Sequence, residues 1–370
     1  MKIFIDAHFL DGRKHGVAIY LDRLYSQYRQ LQPNDELYFG IEPTVFADYP
    51  LFKLPRVHVL RYRFGGGLRF LYDIPHLVRQ VGADVVHTQY VLPLRIGYSA
   101  LRHVTIHDVL YEDFPDLFSV IYRWSRKIIF GWSARQADMV STISEYSRDR
   151  VTALYRPKAA QIHIVYPGVV DDETLDIPAI DSGQRENNIL YVSRFERRKN
   201  HLTLLRAFVI LRVKNPGLRL ILVGFEVDGS LAIVRSFISK HGLDSHVDIM
   251  GNITDAQLQT LYRTAGVVVY PSLGEGFGMP VIESFLLNPY TYYSNVTAMA
   301  EFSFAPDNTF SPTDENAIAQ KIGLGLLESS TNPASWEGQR RSVVQKYNWR
   351  RSALVLADIH HQNSAAPAMP

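Results

Sequence analysis

The sequence predicts an α/β protein built from two doubly wound domains that face each other across a cleft. Three observations carry that prediction. The chain of 370 residues is longer than one hydrophobic core usually organises. Short β-branched runs alternate with longer stretches of helical period in both halves, the mark of βαβ units around a parallel sheet. Between the two series lies DDETLDIPAIDSGQREN at 171–187, polar, acidic and without periodicity, which reads as a linker.

In order along the first half, strands are expected at 2–6, 57–62, 84–88, 103–107, 139–143 and 161–165. Helical stretches at 20–31 and 122–137 fall between them. The second half repeats the alternation with strands at 188–192, 218–223, 247–250, 266–270 and 290–293. These elements divide the chain into an N-terminal domain over 1–170, the linker, and a C-terminal domain over 188–348. Residues 349–370 form a last helix, expected to pack back on the N-terminal domain, and end in the small-residue tail NSAAPAMP.

Composition narrows the function classes. Apolar residues at 46% and charged residues at 21% describe an ordinary globular chain. A net charge of +2 gives no reason to expect nucleic acid as a partner. Residues 1–170 carry 21 Lys/Arg against 16 Asp/Glu, a mild basic excess that suits an anionic surface or substrate. With no cysteine, disulfides, thiolate metal sites and a Cys nucleophile are all excluded. The opening MKIFIDAHFLDGRK is too short in its apolar run for a signal peptide, and no run of about 18 apolar residues exists to cross a bilayer. The expectation is a cytoplasmic protein, at most peripheral on the inner face of a membrane.

Two segments carry chemistry. In the first, PSLGEGFGMPVIE at 271–283, a strand runs into a glycine-rich turn and then a helix, with Glu275 and Glu283 eight residues apart. Gly276 and Gly278 let the backbone approach a ligand, and Pro280 pre-sets the first helical turn. Amides at such a turn point at an anion, and the carboxyl ends of strands are where open α/β sheets bind ligands. Read without a ligand, the same segment is a strand–loop–helix corner with two solvated glutamates. The second segment, YVSRFERRKN at 191–200, ends a strand in Arg194, Arg197, Arg198 and Lys199. Bidentate Arg and a mobile Lys suit a diphosphate. The alternative is a solvated basic helix start, although cations there oppose the helix dipole.

Together and in this order, the two segments resemble glycosyltransferase family 4, retaining enzymes of the GT-B fold. YVSRFERRKN is similar to the family's Gly-Arg-Leu-x-x-x-Lys-Gly phosphate motif, with Ser193 and Asn200 in place of the glycines. EGFGMPVIE is similar to its E-x7-E motif. Further matches are GVAIY at 16–20, TIHD at 105–108, DMVSTIS at 138–144, VYPG at 165–168 and LVG at 222–224. DIMG at 248–251, Ser294-Asn295 and KYNW at 346–349 extend the likeness over nearly the whole chain.

The resemblance implies that Arg194 and Lys199 bind the donor diphosphate and stabilise it as it leaves. Glu275 would contact the donor sugar near its reacting face, and Glu283 the ribose hydroxyls. Phe277, Gly278 and Met279 would present backbone amides, Gly16 would lie over the phosphates, and His107 would face the donor sugar. Taken alone, His107 reads as a buried structural histidine. A departing nucleoside diphosphate gathers charge but needs no proton, so cations and amides suffice where glycosidases use a carboxylate pair. No Asp-x-Asp triplet occurs, so no metal or other cofactor is expected beside the nucleotide-sugar donor. The acceptor implied is a saccharide, or a polyprenyl-diphosphate-linked saccharide, in bacterial surface-polysaccharide or lipopolysaccharide assembly. The TIHD pattern favours GDP-mannose as donor.

The sequence also departs from the family. After Glu283 it reads SFLLNPYTYY at 284–293, where Asn288 is expected to end the helix in a left-handed conformation. Ala298-Met-Ala-Glu301 replaces the usual Pro-Glu approach. Residues 122–135, YRWSRKIIFGWSAR, mix cations with Trp and Ile and fit either an anionic membrane surface or a domain helix with one buried face. The rival functions are a nucleotide-sugar epimerase on a similar fold and a non-catalytic sugar-nucleotide-binding partner.

Overall fold

Hydrophobic runs flanked by turn residues become strands in both halves, all of them paired in parallel. The computed structural model describes residues 1–12, 15–43, 49–159, 161–171, 185–331 and 336–365. The chain divides into two units, Met1–Leu175 with Lys346–Pro370, and Asp176–Gln345. Most of the 171–187 linker segment lies outside the described residues.

The first unit holds a seven-stranded sheet of β1 (Lys2–Asp6), β2 (Glu36–Ile41), β3 (Val57–Arg61), β4 (Val85–Gln89), β5 (Leu101–Thr105), β6 (Met139–Thr142) and β7 (Ile162–Ile164). Their spatial order is β3-β2-β1-β4-β5-β6-β7, so the direction of winding reverses between β1 and β4. β2 is the strand that the sequence pattern does not announce. Its ELYFGI holds Tyr, Phe and Ile, all frequent in strands, but the glycine inside it weakens the strand pattern. Gly40 is needed there because a Cβ would lie 2.2 Å from the Tyr62 hydroxyl. β5 begins and ends two residues earlier than 103–107 predicts, which leaves His107 in the loop beyond its carboxyl end.

The helix Gly16–Leu31 covers one face of this sheet and packs against the last helix, Trp349–Ala365. Polar contacts fasten that last helix to the rest of the unit. Ser352 Oγ donates to the Tyr166 carbonyl at 2.5 Å, and His361 Nε2 lies 3.1 Å from Asp35.

The second unit has six strands, β8 (Asn188–Val192), β9 (Arg219–Val223), β10 (Val247–Met250), β11 (Val267–Tyr270), β12 (Thr291–Ser294) and β13 (Thr309–Phe310). Their order is β10-β9-β8-β11-β12-β13, with the reversal between β8 and β11. Both segments singled out in the sequence therefore leave the carboxyl ends of the two strands at the switch point, where open α/β sheets bind ligands. Asn288 does not take the left-handed conformation expected of it; its φ is −149°. It is buried instead, donating to the Tyr262 and Ala265 carbonyls at 3.0 and 2.9 Å and accepting from the Tyr290 amide. Asn200 is the residue in the left-handed region, at φ 60°, where the resembled motif has glycine.

Gly224, just past β9, has no room for a side chain: a Cβ would lie 1.8 Å from the Ser193 carbonyl oxygen, a backbone atom that cannot rotate away. Gly224→Ala is therefore expected to lower the melting temperature by about 5 °C, the scale of overpacking a core. Gly16→Ala is the control, since nothing lies within 4 Å of its Cβ position. Its melting temperature should stay within about 2 °C of the wild type. Equal melting of the two variants in scanning calorimetry would refute the close approach at Gly224.

Candidate active site

At the switch point of the second sheet, two loops are stitched together by their backbones and charges. The loop after β8 turns through Arg197–Lys199 before the helix His201–Lys214, and the loop after β11 runs from Pro271 to Gly278. Leu273 N–H donates to the Arg198 carbonyl at 2.9 Å, and Asn200 Nδ2 donates to the Pro271 carbonyl at 2.9 Å. The left-handed Asn200 thus does two things that a glycine could not do together, turning the chain and bridging the loops. Thr297, itself at φ 51°, accepts the Glu275 N–H at 2.9 Å, so the divergent 297–301 segment supports this loop from behind.

Glu275 is the centre of the charge cluster. Lys199 Nζ donates to its Oε1 at 2.5 Å and Arg198 to its Oε2 at 2.8 Å, with the side chains of Lys199, Arg198 and Glu275 only 12–14% exposed. Burial alone would push the Glu275 carboxyl up, but the two cations outweigh it and hold the group well below the usual carboxylate range. Lys199 responds in the opposite sense: burial and the adjacent Arg198 lower its pKa, and Glu275 offsets only part of this. Arg198 also pairs with Glu196, which in turn meets the half-exposed Arg194 at 3.2 Å. Lys199 and Glu275 are therefore in direct contact, whereas Arg194 joins the cluster only through Glu196. Arg198, read in the sequence only as one of the cations suited to a diphosphate, is the member whose contact with Glu275 the sequence did not announce.

The glycine turn leads into the helix Met279–Leu287 through Gly278, whose φ of 101° is left-handed and costly for any residue with a Cβ. Phe277 is buried against Phe302. The N–H groups of Gly278 and Met279 donate to no described residue and are available to an anion. Pro280, in the first turn, has no N–H to offer. Glu283 projects from this helix and forms no ion pair with a described residue. Burial, with a smaller contribution from Asp255, pushes its carboxyl up to about 7.

The remaining predicted site residues lie in the first unit. Gly16 is the exposed first residue of its helix. His107 is buried between the rings of Tyr20 and Tyr90, with centroids at 5.0 and 5.2 Å, and its Nε2 meets Gln89 Oε1 at 2.8 Å. Burial, helped by His15, lowers its pKa to about 3, so it is a neutral imidazole at physiological pH. A cavity of about 530 Å³ opens beside it, lined by aromatic side chains including Phe9, Phe70, Tyr90 and Tyr111, with Arg126 and Asp108. The helix Val120–Gln136 buries its C-terminal half, while Ile121, Trp124 and Ile128 are 64–84% exposed.

Among the described residues the one grouping with metal-ligand potential is His87, His103 and His360, whose ligand atoms lie within 4.8 Å of one another. It does not fit an ion. The His87 and His103 rings stack at 4.2 Å and 9°, so their in-plane lone pairs run parallel instead of converging. Their nitrogens are already engaged by Tyr25, Thr105, Ser141 and His360.

Comparison with known proteins gives the family and the fold. The profile of "Glycosyltransferase Family 4" matches residues 9–173, and that of "Glycosyl transferases group 1" matches residues 172–328. The O-antigen chain mannosyltransferase B of Escherichia coli is 26% identical over 209 residues, 54% of each chain. The O-antigen chain mannosyltransferase RfbU of Salmonella typhimurium is 24% identical over 240 residues, 64% of this chain and 63% of that one. The alignments thus span about half to two thirds of these curated relatives. Among solved structures, a sucrose-phosphate synthase from Thermosynechococcus elongatus superposes with a TM-score of 0.77 at 20% identity, covering 99% of this chain and 100% of that one. HepE of Anabaena, solved in complex with UDP and glucose, superposes with a TM-score of 0.72 at 17% identity, covering 98% and 99%. At these identities the likeness establishes the fold.

Glu283 provides a test of the site's electrostatics. Its folded pKa of about 7 lies above the ordinary carboxyl value, so the native state holds a proton that the unfolded chain releases. Stability from this group is complete at low pH and is lost as the pH rises through about 7. Glu283→Gln, a mimic of the protonated form, should raise the melting temperature at pH 8 by about 5 °C and leave it nearly unchanged at pH 4.5. Identical melting of variant and wild type at pH 8 would show that the carboxylate is solvated.

Proposed function

The chain belongs to the group 1 glycosyl transferases of glycosyltransferase family 4, and we propose that it moves a hexose from a nucleotide sugar to a saccharide acceptor with retention of configuration. The observation that carries this reading is the Lys199–Glu275–Arg198 cluster at the switch point of the second sheet. Lys199 and Arg194 take the donor diphosphate, the free Gly278 and Met279 amides add donors to it, and the charge that gathers on its oxygens during departure is met by groups already in place. Glu275 remains an anion because of its cation partners and faces the sugar as an acceptor of hydroxyl hydrogen bonds. Glu283 accepts from the ribose hydroxyls. In the first unit, Gly16 gives the phosphates close approach to backbone and His107 faces the sugar.

Mannose from GDP-mannose is the donor we favour, supported by the names of the O-antigen relatives. The acceptor is a saccharide, free or linked to polyprenyl diphosphate, and the protein sits in the cytoplasm, at most peripheral on the inner face of a membrane. No described helix is long and apolar enough to cross a bilayer. The exposed Ile121, Trp124 and Ile128, interleaved with Arg123, Arg126 and Lys127 on a helix without acidic residues, suit an anionic surface.

Lys199→Ala should reduce turnover by roughly 100-fold, the scale of losing a preorganised charge contact. It should also lower stability, because a nearly buried ion pair loses one partner. Rates are therefore to be normalised to folded protein, and GDP-mannose should raise the wild-type melting temperature more than UDP-glucose, UDP-galactose or dTDP-rhamnose. Exhaustive EDTA treatment should leave the rate within about twofold, a barrier change below roughly 0.5 kcal/mol. Near-wild-type turnover in Lys199→Ala, or activity that depends wholly on added magnesium, would overturn this assignment of the diphosphate site.

Membrane contact is tested separately by co-sedimentation with vesicles of anionic phospholipid. The double variant Ile121→Asp, Trp124→Asp should lose most of the bound fraction while keeping its melting temperature. Equal binding by variant and wild type would remove this helix as the contact surface.

A further inference from the structure

Behind His107 a chain of buried polar side chains runs along one face of the first sheet. Alternate residues of a strand share a face, and the register sets His87 opposite His103, Gln89 opposite Thr105, and Thr105 opposite Ser141. All five residues are at most 1% exposed. Gln89 reaches both ways: its Oε1 lies 2.8 Å from His107 Nε2 and its Nε2 lies 3.4 Å from His87 Nε2. Thr105 Oγ1 is 2.7 Å from the same His87 nitrogen, Ser141 Oγ is 2.7 Å from Thr105, and His103 Nε2 is 2.9 Å from Ser141. His103 Nδ1 meets His360 Nε2 of the last helix at 2.9 Å, and Tyr25 meets His87 Nδ1 at 2.5 Å.

Each link holds one hydrogen, so the order of protons along the chain is shared by all its members. His87 Nε2 is approached by both the Gln89 amide and the Thr105 hydroxyl, and an N–H there would oppose the amide hydrogens. It therefore accepts, and His87 carries its hydrogen on Nδ1 toward Tyr25. Thr105 donates to His87 and accepts from Ser141, Ser141 accepts from His103 Nε2–H, and His103 Nδ1 accepts from His360 Nε2–H. This order leaves His360 Nδ1 as a lone pair, and that atom is buried without a partner. The reverse order would bury an orphaned N–H there, the rarer arrangement in folded proteins. With its amide turned this way, Gln89 offers only its carbonyl oxygen to His107. The other ring nitrogen of His107, Nδ1, has no hydrogen-bond partner among the described residues.

We propose that Gln89 is a positioning residue: locked by His87 and Thr105, it holds His107 in the Nε2–H tautomer, so that Nδ1 presents a lone pair that accepts a hydrogen bond from a substrate hydroxyl. This rests on the reading of His107 as a sugar-facing group, and it sharpens that reading by ligand class. A hydroxyl can donate to the bare Nδ1, whereas a phosphate oxygen, itself an acceptor, is repelled. His107 thereby selects the sugar part of the donor or acceptor and leaves the diphosphate to other residues.

The test is nitrogen-15 NMR of the imidazoles in the unliganded full chain, with the His107 resonances assigned by their loss in His107→Asn. Wild type should show His107 protonated at Nε2 and bare at Nδ1. Gln89→Leu and Thr105→Val, which remove the lock directly and from behind, should each give a mixture of tautomers. In transfer assays Gln89→Leu should lower kcat about 10-fold with the donor KM within about twofold, the scale of losing a supporting contact. Gln89→Glu restores an acceptor for Nε2–H and should recover the tautomer. Its carboxylate also raises the His107 pKa in a setting that otherwise holds Tyr20, Tyr90, His15 and Asp108. Transfer by this variant should therefore fall as pH drops and Nδ1 gains a proton. His107 protonated at Nδ1 in wild type, or a single unchanged tautomer in both Gln89→Leu and Thr105→Val, would overturn the proposal. If wild type transfers no sugar from any nucleotide donor, the enzymatic reading fails, while the tautomer spectra still decide the role of Gln89.

Discussion

The carboxylate of Glu275, held between Lys199 and Arg198, is the interaction on which the second unit's site depends. It joins the loop after β8 to the loop after β11, and these are the loops that the reversal of strand order leaves side by side. A carboxylate and two cations this buried would each be costly alone, because desolvation penalises every one of them. Their mutual contact, with backbone bonds from Leu273 to Arg198 and from Asn200 to Pro271, makes the arrangement tolerable. The charges are thus fixed before any ligand arrives, which is the condition for electrostatic stabilisation without reorganisation.

Much of this was legible in the sequence, for reasons that can be named. Strands such as Asn188–Val192 and Val247–Met250 stand out because β-branched and apolar residues are bounded by turn signals, and the parallel architecture follows from the helical stretches between them. Glu275, Lys199 and Gly278 stood out because the cation run and the glycine turn, in this order, resemble the motifs of a known family; taken singly, each also fits a solvated corner or helix start. β2 was not, since the glycine inside ELYFGI interrupts a run of strand-favouring residues, and the close packing of Gly40 against Tyr62 that calls for it shows only in the fold. Asn288 misled because its side chain suits a left-handed turn equally well, and only the nearby Tyr262 and Ala265 carbonyls settle its extended conformation.

The polar stripe behind His107 lies between these cases. His87 and Gln89 on one strand, and His103, Thr105 and then His107 along the next, recur at every second residue. That is a strand periodicity written in polar residues, and buried strands are ordinarily read from their apolar period. Its cost in desolvation is met by near-complete hydrogen bonding, with His360 Nδ1 the orphan at one end. Such a network specifies one arrangement of the core more sharply than apolar packing of similar volume, at the risk that one missing partner disturbs every other.

Environment drives the three titratable groups of the proposed chemistry apart. Cations keep Glu275 ionised, burial brings Glu283 up to about 7, and burial keeps His107 neutral with a pKa of about 3. A hydrolase that must protonate its leaving group would need a carboxylic acid poised at the reacting bond. Here the group closest to neutrality, Glu283, sits a turn along a helix from the glycine loop and is assigned to ribose, while the groups assigned to the sugar are an anion and a neutral imidazole. Neither is a proton donor at working pH. That pattern suits a leaving group that departs as a stable anion onto fixed cations. The resemblance to retaining enzymes of glycosyltransferase family 4 implies that the departing phosphate helps to take the acceptor's proton.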